Sequence, residues 1–146
     1  MIERWDPSEA ARLSNFLASL PVEDLALRLC SHGVREPAAR LFHHLTVEHP
    51  RPTYIAEEEG RIVGVADLSV DKTVAEIGVI VSPQRRRRYV GSELLRHLAS
   101  DAGRERIPML VGYLLRENAP GLALLRSLGF KIAAFDGPTL EATLPL

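Results

Sequence analysis

The stretch VSPQRRRRYVGSELLRHL, Val81 to Leu98, decides how this chain is read. Before it, VAEIGVIV closes a β-rich run of strand length. After it, Val90, Leu94, Leu95, Leu98, Ala99 and Ala102 recur at helical spacing. The arginines Arg85 to Arg88 fill the turn between. Strand, basic loop and helix start together form an anion-binding arrangement, because the first N–H groups of a helix have no partner inside it and the dipole favours negative charge there. Flanking guanidinium groups add charge-assisted hydrogen bonds. Gly91 lets a ligand approach the backbone closely. Without further support the same residues read equally as a solvated turn or as a nucleic-acid patch.

Composition narrows these readings. At 146 residues the chain has the length of one ordinary domain, and 46% hydrophobic against 25% charged residues is a globular balance. A net charge of −1 argues against a general polyanion binder, so the basic character is local. Nucleic-acid binding through RRRR also lacks interleaved aromatic residues. Cys30 is the single cysteine, which excludes a disulfide framework and a cysteine-based zinc site. No apolar run approaches roughly 18 residues, and MIERWDPSEA has neither charged leader nor apolar signal core. The composition predicts a cytoplasmic protein without a membrane partner.

Working outward, Asp6, Pro7 and Glu9 carry helix-entry chemistry, a cap with a capping box. Ala10, Leu13, Phe16, Leu17 and Leu20 follow at helical spacing. A second helix after Pro21 buries Leu25, Ala26 and Leu29 and ends near Gly33, and EPAARLFHHLTV supplies a third. The texture changes at Pro52. Turn signals in EEEGR and SVDKT separate antiparallel strands over 53–57, 61–69 and 73–81. Beyond the long helix, IPMLVGYLL is a strand and NAPGLALLRSLG a short helix with Asn118 as cap and Gly129 as stop. FKIAAF and TLEATLPL close the chain as strands, the last open to pairing across a homodimer. The order predicts one mixed α/β domain.

Two motifs then resemble a known family. Arg86-Arg87-Arg88-Tyr89-Val90-Gly91, preceded by VIVSP and followed by SELL, resembles the acyl-CoA motif Q/R-x-x-G-x-G/A of the GNAT N-acetyltransferases. NAPGLALLRSLGF resembles the family's second signature, with Asn118, Leu128, Gly129 and Phe130 in register. The resemblance spans about residues 53–135. LPVEDLALRLCSHG, EPAARLFHHLTVEHPRPTYIAEEEGRIVGVADL, Ala75-Glu76 and Leu115-Arg116-Glu117-Asn118 are further similar to the Pat-type protein-lysine acetyltransferase branch.

The resemblance implies a GNAT fold, a mostly antiparallel mixed sheet splayed at the acyl-CoA site and flanked by helices. It implies a single acetyltransferase domain over 1–146, with a helical acceptor-side region over 1–50, an acetyl-CoA-binding core over 53–135 and a closing strand over 136–146. Backbone amides of Arg86, Arg87, Arg88, Tyr89, Val90, Gly91 and Ser92 would hold the pyrophosphate, and Arg85 or Arg87 would meet the CoA 3′-phosphate. Val79, Ile80 and Val81 would pair with the pantetheine amides by β-augmentation. Asn118 would touch the pantetheine arm as well as cap its helix.

Two positions depart from the family pattern. Tyr89 stands where the motif wants glycine. A residue already helical there tolerates tyrosine, its ring packed on the helix flank or laid over the adenine, whereas a close backbone approach does not. Leu125 stands where many members carry a tyrosine acid. A thiol with a pKa of about 8.5 leaves more readily than an amine near about 10.4, so the acid is dispensable.

An amine nucleophile must lose a proton before it attacks acetyl-CoA. Glu76, an acidic residue inside VAEIGVIV that matches the branch's glutamate, is the candidate general base; its plain alternative is an outward glutamate on a half-exposed strand. The backbone N–H of Val79 is the candidate oxyanion donor. No metal is called for, since adjacent His43 and His44 diverge on a helix and form a solvated or groove-lining face. Cys30 reads as core, Trp5 as packing, and Glu57 to Glu59 as a solvated turn. The implied activity is acetyl transfer from acetyl-CoA to a primary amine, on a protein lysine or a small molecule. The alternative is a non-catalytic acyl-CoA-binding module.

Overall fold

The computed structural model describes residues 1–48, 52–71, 73–85 and 89–146. Arg86, Arg87 and Arg88, on which the cradle reading leans, lie outside the described residues, as does Lys72 of the second turn signal. Thr53–Glu58 (β2), Arg61–Asp71 (β3) and Val74–Val81 (β4) form the expected antiparallel meander. Glu59 and Gly60 link β2 to β3 with φ of 52° and 78°, the twist that suits a two-residue hairpin. A further strand, Ile2–Arg4 (β1), pairs antiparallel with β2. Three residues, two of them charged, carry no alternation that a sequence reading could catch.

Met109–Leu115 (β5) runs parallel to β4, while Lys131–Asp136 (β6) and Thr139–Pro145 (β7) return antiparallel. The seven-stranded order is β1-β2-β3-β4-β5-β7-β6. TLEATLPL is therefore flanked on both sides, and the expected dimer pairing through it is ruled out. The free edges belong to β1 and β6.

Asp6 caps a 3-10 turn, Pro7–Glu9, its Oδ1 accepting from the Ser8 N–H at 2.9 Å. The Glu9 carboxylate pairs forward with Arg12 and not back across the cap as in a capping box. Helix α1 follows over Ala10–Ala18, and α2 over Val22–Leu29. α2 ends before Gly33, because Cys30 already takes the left-handed conformation at φ 53°. α3, Pro37–His43, runs into a π-helical turn, His44–Glu48. These helices bury Leu13, Leu17, Leu25, Leu41 and Leu45 against Ile55, Val65 and Ile80 on one face of the sheet, with Trp5 and Leu29 partly buried at its margin.

On the other face lie α4, Val90–Arg104, and α5, Ala119–Ser127. Their apolar stripes cover Ala66, Leu68, Ala75, Ile77, Leu110, Leu114 and Ala142. Leu94 and Leu98 are wholly buried, and each contributes about 2 kcal/mol of transfer free energy. The strict alternation of β3 and β4 sorts Asp67, Gly78 and Glu76 onto the α1–α3 face, and Leu68, Ile77 and Val79 onto the α4–α5 face. Among the described residues no helix is long and apolar enough to cross a membrane.

Candidate active site

β4 and β5 pair only at Val74–Met109, Ala75–Leu110 and Glu76–Val111. Beyond Glu76, β4 stays with β3 as far as Val81, while β5 stays with β7. The strands therefore part at Ile77 and Gly112, and a wedge opens through the sheet. Leu27 and Arg28 of α2 line it from one face; Asn118, Gly121, Leu124 and Leu125 of the α5 region line it from the other.

Backbone polarity follows from register. The Ser82 N–H donates to the Val63 carbonyl at 2.8 Å. Alternation back along β4 then turns the N–H and C=O of Ile80, Gly78 and Glu76 toward β3, and those of Val81, Val79 and Ile77 toward β5. Where the strands have parted, Val79 and Val81 present these groups to the wedge. Ile80 does not: its amide serves β3 and its side chain is buried among the first three helices. Of the three strand residues expected to meet pantetheine, Val79 and Val81 turn their backbone groups to the wedge and Ile80 does not.

α4 begins against Val81 at the end of β4 and Leu124, one of the wedge's lining residues. Its first intrahelical bond runs from the Glu93 N–H to the Tyr89 carbonyl at 3.0 Å. The N–H groups of Val90, Gly91 and Ser92 precede it, and the Tyr89 side chain makes no capping hydrogen bond. A Cβ on Gly91 would stand 2.9 Å from Leu124 Cδ2, so this glycine lets the start of α4 close on α5. Tyr89 is outside the helix, in the left-handed conformation at φ 65°, ψ 7°, and the residue is 74% exposed. The motif's demand for glycine is thus real here, and packing on the helix flank is corrected to exposure. Arg85 is paired with Glu58. Glu57 pairs with Arg12 at 3.0 Å, so the acidic run is not simply solvated.

Asn118 accepts the Gly121 N–H through Oδ1 at 3.0 Å, capping α5 while lining the wedge. A Cβ on Gly121 would meet the Asn118 amide at 2.7 Å, so glycine there allows the side chain to fold back over its helix. Leu125 is buried against the wedge.

Glu76 occupies the last rung before the strands part, exposed on the α2 face. Sequence reasoning missed what surrounds it. Arg28 donates from Nη2 to Asp67 Oδ1 at 2.7 Å, and His44 Nε2 lies 3.8 Å from Asp67 Oδ2. Burial alone would raise the Asp67 carboxyl, but Arg28 and His44 outweigh it and hold it below the usual carboxylate value. An aspartate inside the apolar run VGVADL was the available signal. The Cys30 thiol donates to the Tyr113 carbonyl at 3.3 Å. Burial, reinforced by Glu76 and opposed by Arg28, pushes that thiol up, so it stays protonated and is no nucleophile. Its place is a helix end beside the wedge, not the helix core. His43 is exposed while His44 is half-buried toward Asp67. Among the described residues no three His, Cys, Asp or Glu side chains gather as a metal site.

A sequence profile of the Acetyltransferase (GNAT) family matches residues 20–130. The chain is 36% identical over 84 residues to a mycothiol acetyltransferase from Clavibacter sepedonicus; the match spans 55% of this chain but only 27% of that protein. Its fold superposes on the GNAT domain of Streptomyces lividans PAT with a TM-score of 0.83 at 19% identity, covering 99% of this chain and 89% of that one. It also superposes on PaiA N-acetyltransferase from Thermoplasma acidophilum in complex with coenzyme A, with a TM-score of 0.78 at 14% identity over 100% and 98% of the two chains. A ribosomal-protein-alanine N-acetyltransferase from Brucella melitensis gives a TM-score of 0.76 at 22% identity over 100% and 99%. Profile, splayed sheet and α4 entrance agree: the chain belongs to the GNAT acetyltransferase family.

Proposed function

We propose that the chain transfers an acetyl group from acetyl-CoA to a primary amine. The observation that carries this reading is the parting of β4 from β5 at Glu76, which leaves the Val79 N–H without a strand partner and a carboxylate at the apex of the same wedge. Val79 and Val81 would pair with the pantetheine amides as a neighbouring strand does. Asn118 uses Oδ1 for its cap, which leaves the two Nδ2–H donors for a pantetheine carbonyl. The first N–H groups of α4, those of Val90, Gly91 and Ser92, suit a pyrophosphate, and the family resemblance assigns Arg86 to Arg88 and Tyr89 to the same phosphate.

Each residue then has one task. Glu76 accepts the proton that the ammonium must lose before attack, directly or through water. The Val79 N–H stabilises the negative charge that develops on the thioester oxygen. The CoA thiolate departs without an acid from α5, since Leu125 is apolar. The acceptor amine belongs to a protein lysine or a small molecule. Residues 1–146 act as one unit, the first three helices forming the acceptor-side wall. A single cysteine kept as thiol suits the reducing cytoplasm.

The test is Glu76→Gln. Transfer to an amine acceptor should fall by about 10²-fold or more, with acetyl-CoA affinity unchanged. Undiminished transfer would remove Glu76 from the chemistry. If the native chain binds acetyl-CoA and no panel of primary amines is acetylated, it is a non-catalytic acyl-CoA-binding module instead.

A further inference from the structure

The α2 face of the wedge has a chemistry of its own, separate from the backbone groups and α4 entrance on the cofactor side. Register puts Tyr113 two residues beyond Val111, the partner of Glu76, and places Glu141 directly across from Tyr113 on β7. Three side chains thus share one face around the point where the strands part. Burial first, then the neighbouring Glu141 carboxylate, with Glu76 contributing, raises the Tyr113 phenol above its ordinary value. A fourth member comes from the edge strand. The β6–β7 register shifts between Ala134 and Asp136, and Phe135 is the bulged residue. Bulges re-aim side chains, and this one brings the Phe135 ring to 4.7 Å from Tyr113 at 53° between planes. Phe135 as a residue remains 57% exposed, so the pair is an open aromatic edge and not core.

The charge balance at this edge is negative. Arg28, the cation nearest the wedge, is already matched by Asp67. Glu76 and Glu141 stand on either side of Tyr113 without such a match among the described ion pairs. Carboxylates around an exposed aromatic pair favour a cation, through Coulomb attraction and through the negative ring faces.

We propose that Glu141, Tyr113 and Phe135 form the acceptor subsite, and that it selects a primary ammonium carried on an unbranched apolar stem. The ammonium lies between Glu141 and Glu76, and the stem runs along the Tyr113–Phe135 edge toward solvent. This deepens, and rests on, the acetyltransferase reading above. Compact hydroxylated amines are disfavoured, since they would lose solvation against the rings without covering them.

The probes are Nα-acetyl-lysine methylamide, its uncharged isostere Nα-acetyl-norleucine methylamide, and glucosamine. Binding is measured by calorimetry on the full chain, with and without saturating desulfo-CoA. The lysine probe should bind at least tenfold tighter than either of the others. Glu141→Gln should weaken it fivefold or more. Phe135→Leu, which keeps the bulk and removes the ring, should weaken it about threefold while leaving the norleucine probe and desulfo-CoA unaffected. Equal binding of lysine and norleucine probes, preference for glucosamine, or no binding of the lysine probe would overturn the subsite. Failure of desulfo-CoA alone to bind would contradict the acetyltransferase reading and leave the lysine preference to be read on the nucleotide-free chain, where its absence still refutes the subsite.

Discussion

Arg28 reaches Asp67 by crossing the bare face of Gly78. A Cβ on that glycine would lie 2.1 Å from Arg28 Nη2 and 2.6 Å from Asp67 Oδ1. Gly78 is therefore the aperture through which α2 is tied to β3, over the strand that borders the wedge. Both partners are largely buried.

Gly78→Ala should expel the guanidinium and leave Asp67 buried without its main counter-charge, at a cost of about 3 kcal/mol. Arg28→Ala should cost about the same. Because the two changes break one interaction, the double variant should be little worse than either single one. Urea unfolding midpoints of the three variants check this; additive losses would show that Gly78 has a separate role.

Tyr89 holds φ 65° without being glycine, a conformation that costs an L-residue about 1 to 2 kcal/mol. Tyr89→Gly should raise the melting temperature by several degrees, and acetyl-CoA affinity should be unchanged or improved. Weaker acetyl-CoA binding in a more stable variant would show instead that the exposed ring covers the adenine.

Asn118 has two separable tasks. Asn118→Ala should lose about 1 kcal/mol of cap stability together with cofactor affinity. Asn118→Asp keeps an acceptor at the helix start, and a charge that the dipole favours, but has no amide donors. Thermal unfolding of the aspartate variant should match the native chain, while its acetyl-CoA Kd rises about tenfold. Equal Kd values would reduce Asn118 to a cap.

Tyr54 is buried with its hydroxyl on Asp101. Burial first, then the Asp101 hydrogen bond and charge, push the phenol up to about 12. A folded-state pKa above the unfolded value of about 10 stabilises fully below pH 10, and that contribution fades as pH rises from about 10 to 12. Tyr54→Phe should cost about 1 kcal/mol at neutral pH and flatten the alkaline loss of stability. Denaturant melts at pH 7 and pH 11 separate the two effects.

The readable and unreadable parts of the molecule divide along physical lines. The β2–β3–β4 meander was legible because Gly60 and period-two alternation act locally, and α5 because Asn118, Pro120 and Gly129 mark both of its ends. β1 was not, since Ile2 to Arg4 become a strand only through the partner β2. The position of β7 between β5 and β6 was likewise beyond reach, because no residue of TLEATLPL encodes which neighbours it takes. At the site, Glu76 and Asn118 stood out as polar residues in special places of an apolar pattern. Asp67 stood in an apolar run as well, but its partners, like the meaning of Arg28 and Phe135, lie in contacts between residues far apart in the chain. Tyr89 was flagged by the motif, but whether its backbone was helical or left-handed needed the fold.

The most direct measurement is a calorimetric titration of the purified chain with acetyl-CoA, run beside desulfo-CoA and adenosine 3′,5′-bisphosphate. A wedge that pairs Val79 and Val81 with pantetheine predicts micromolar binding of acetyl-CoA and desulfo-CoA, with the bisphosphate at least tenfold weaker. No heat from acetyl-CoA, or a bisphosphate that binds as tightly as the full cofactor, would contradict it, because the parted strands would then contribute nothing to recognition.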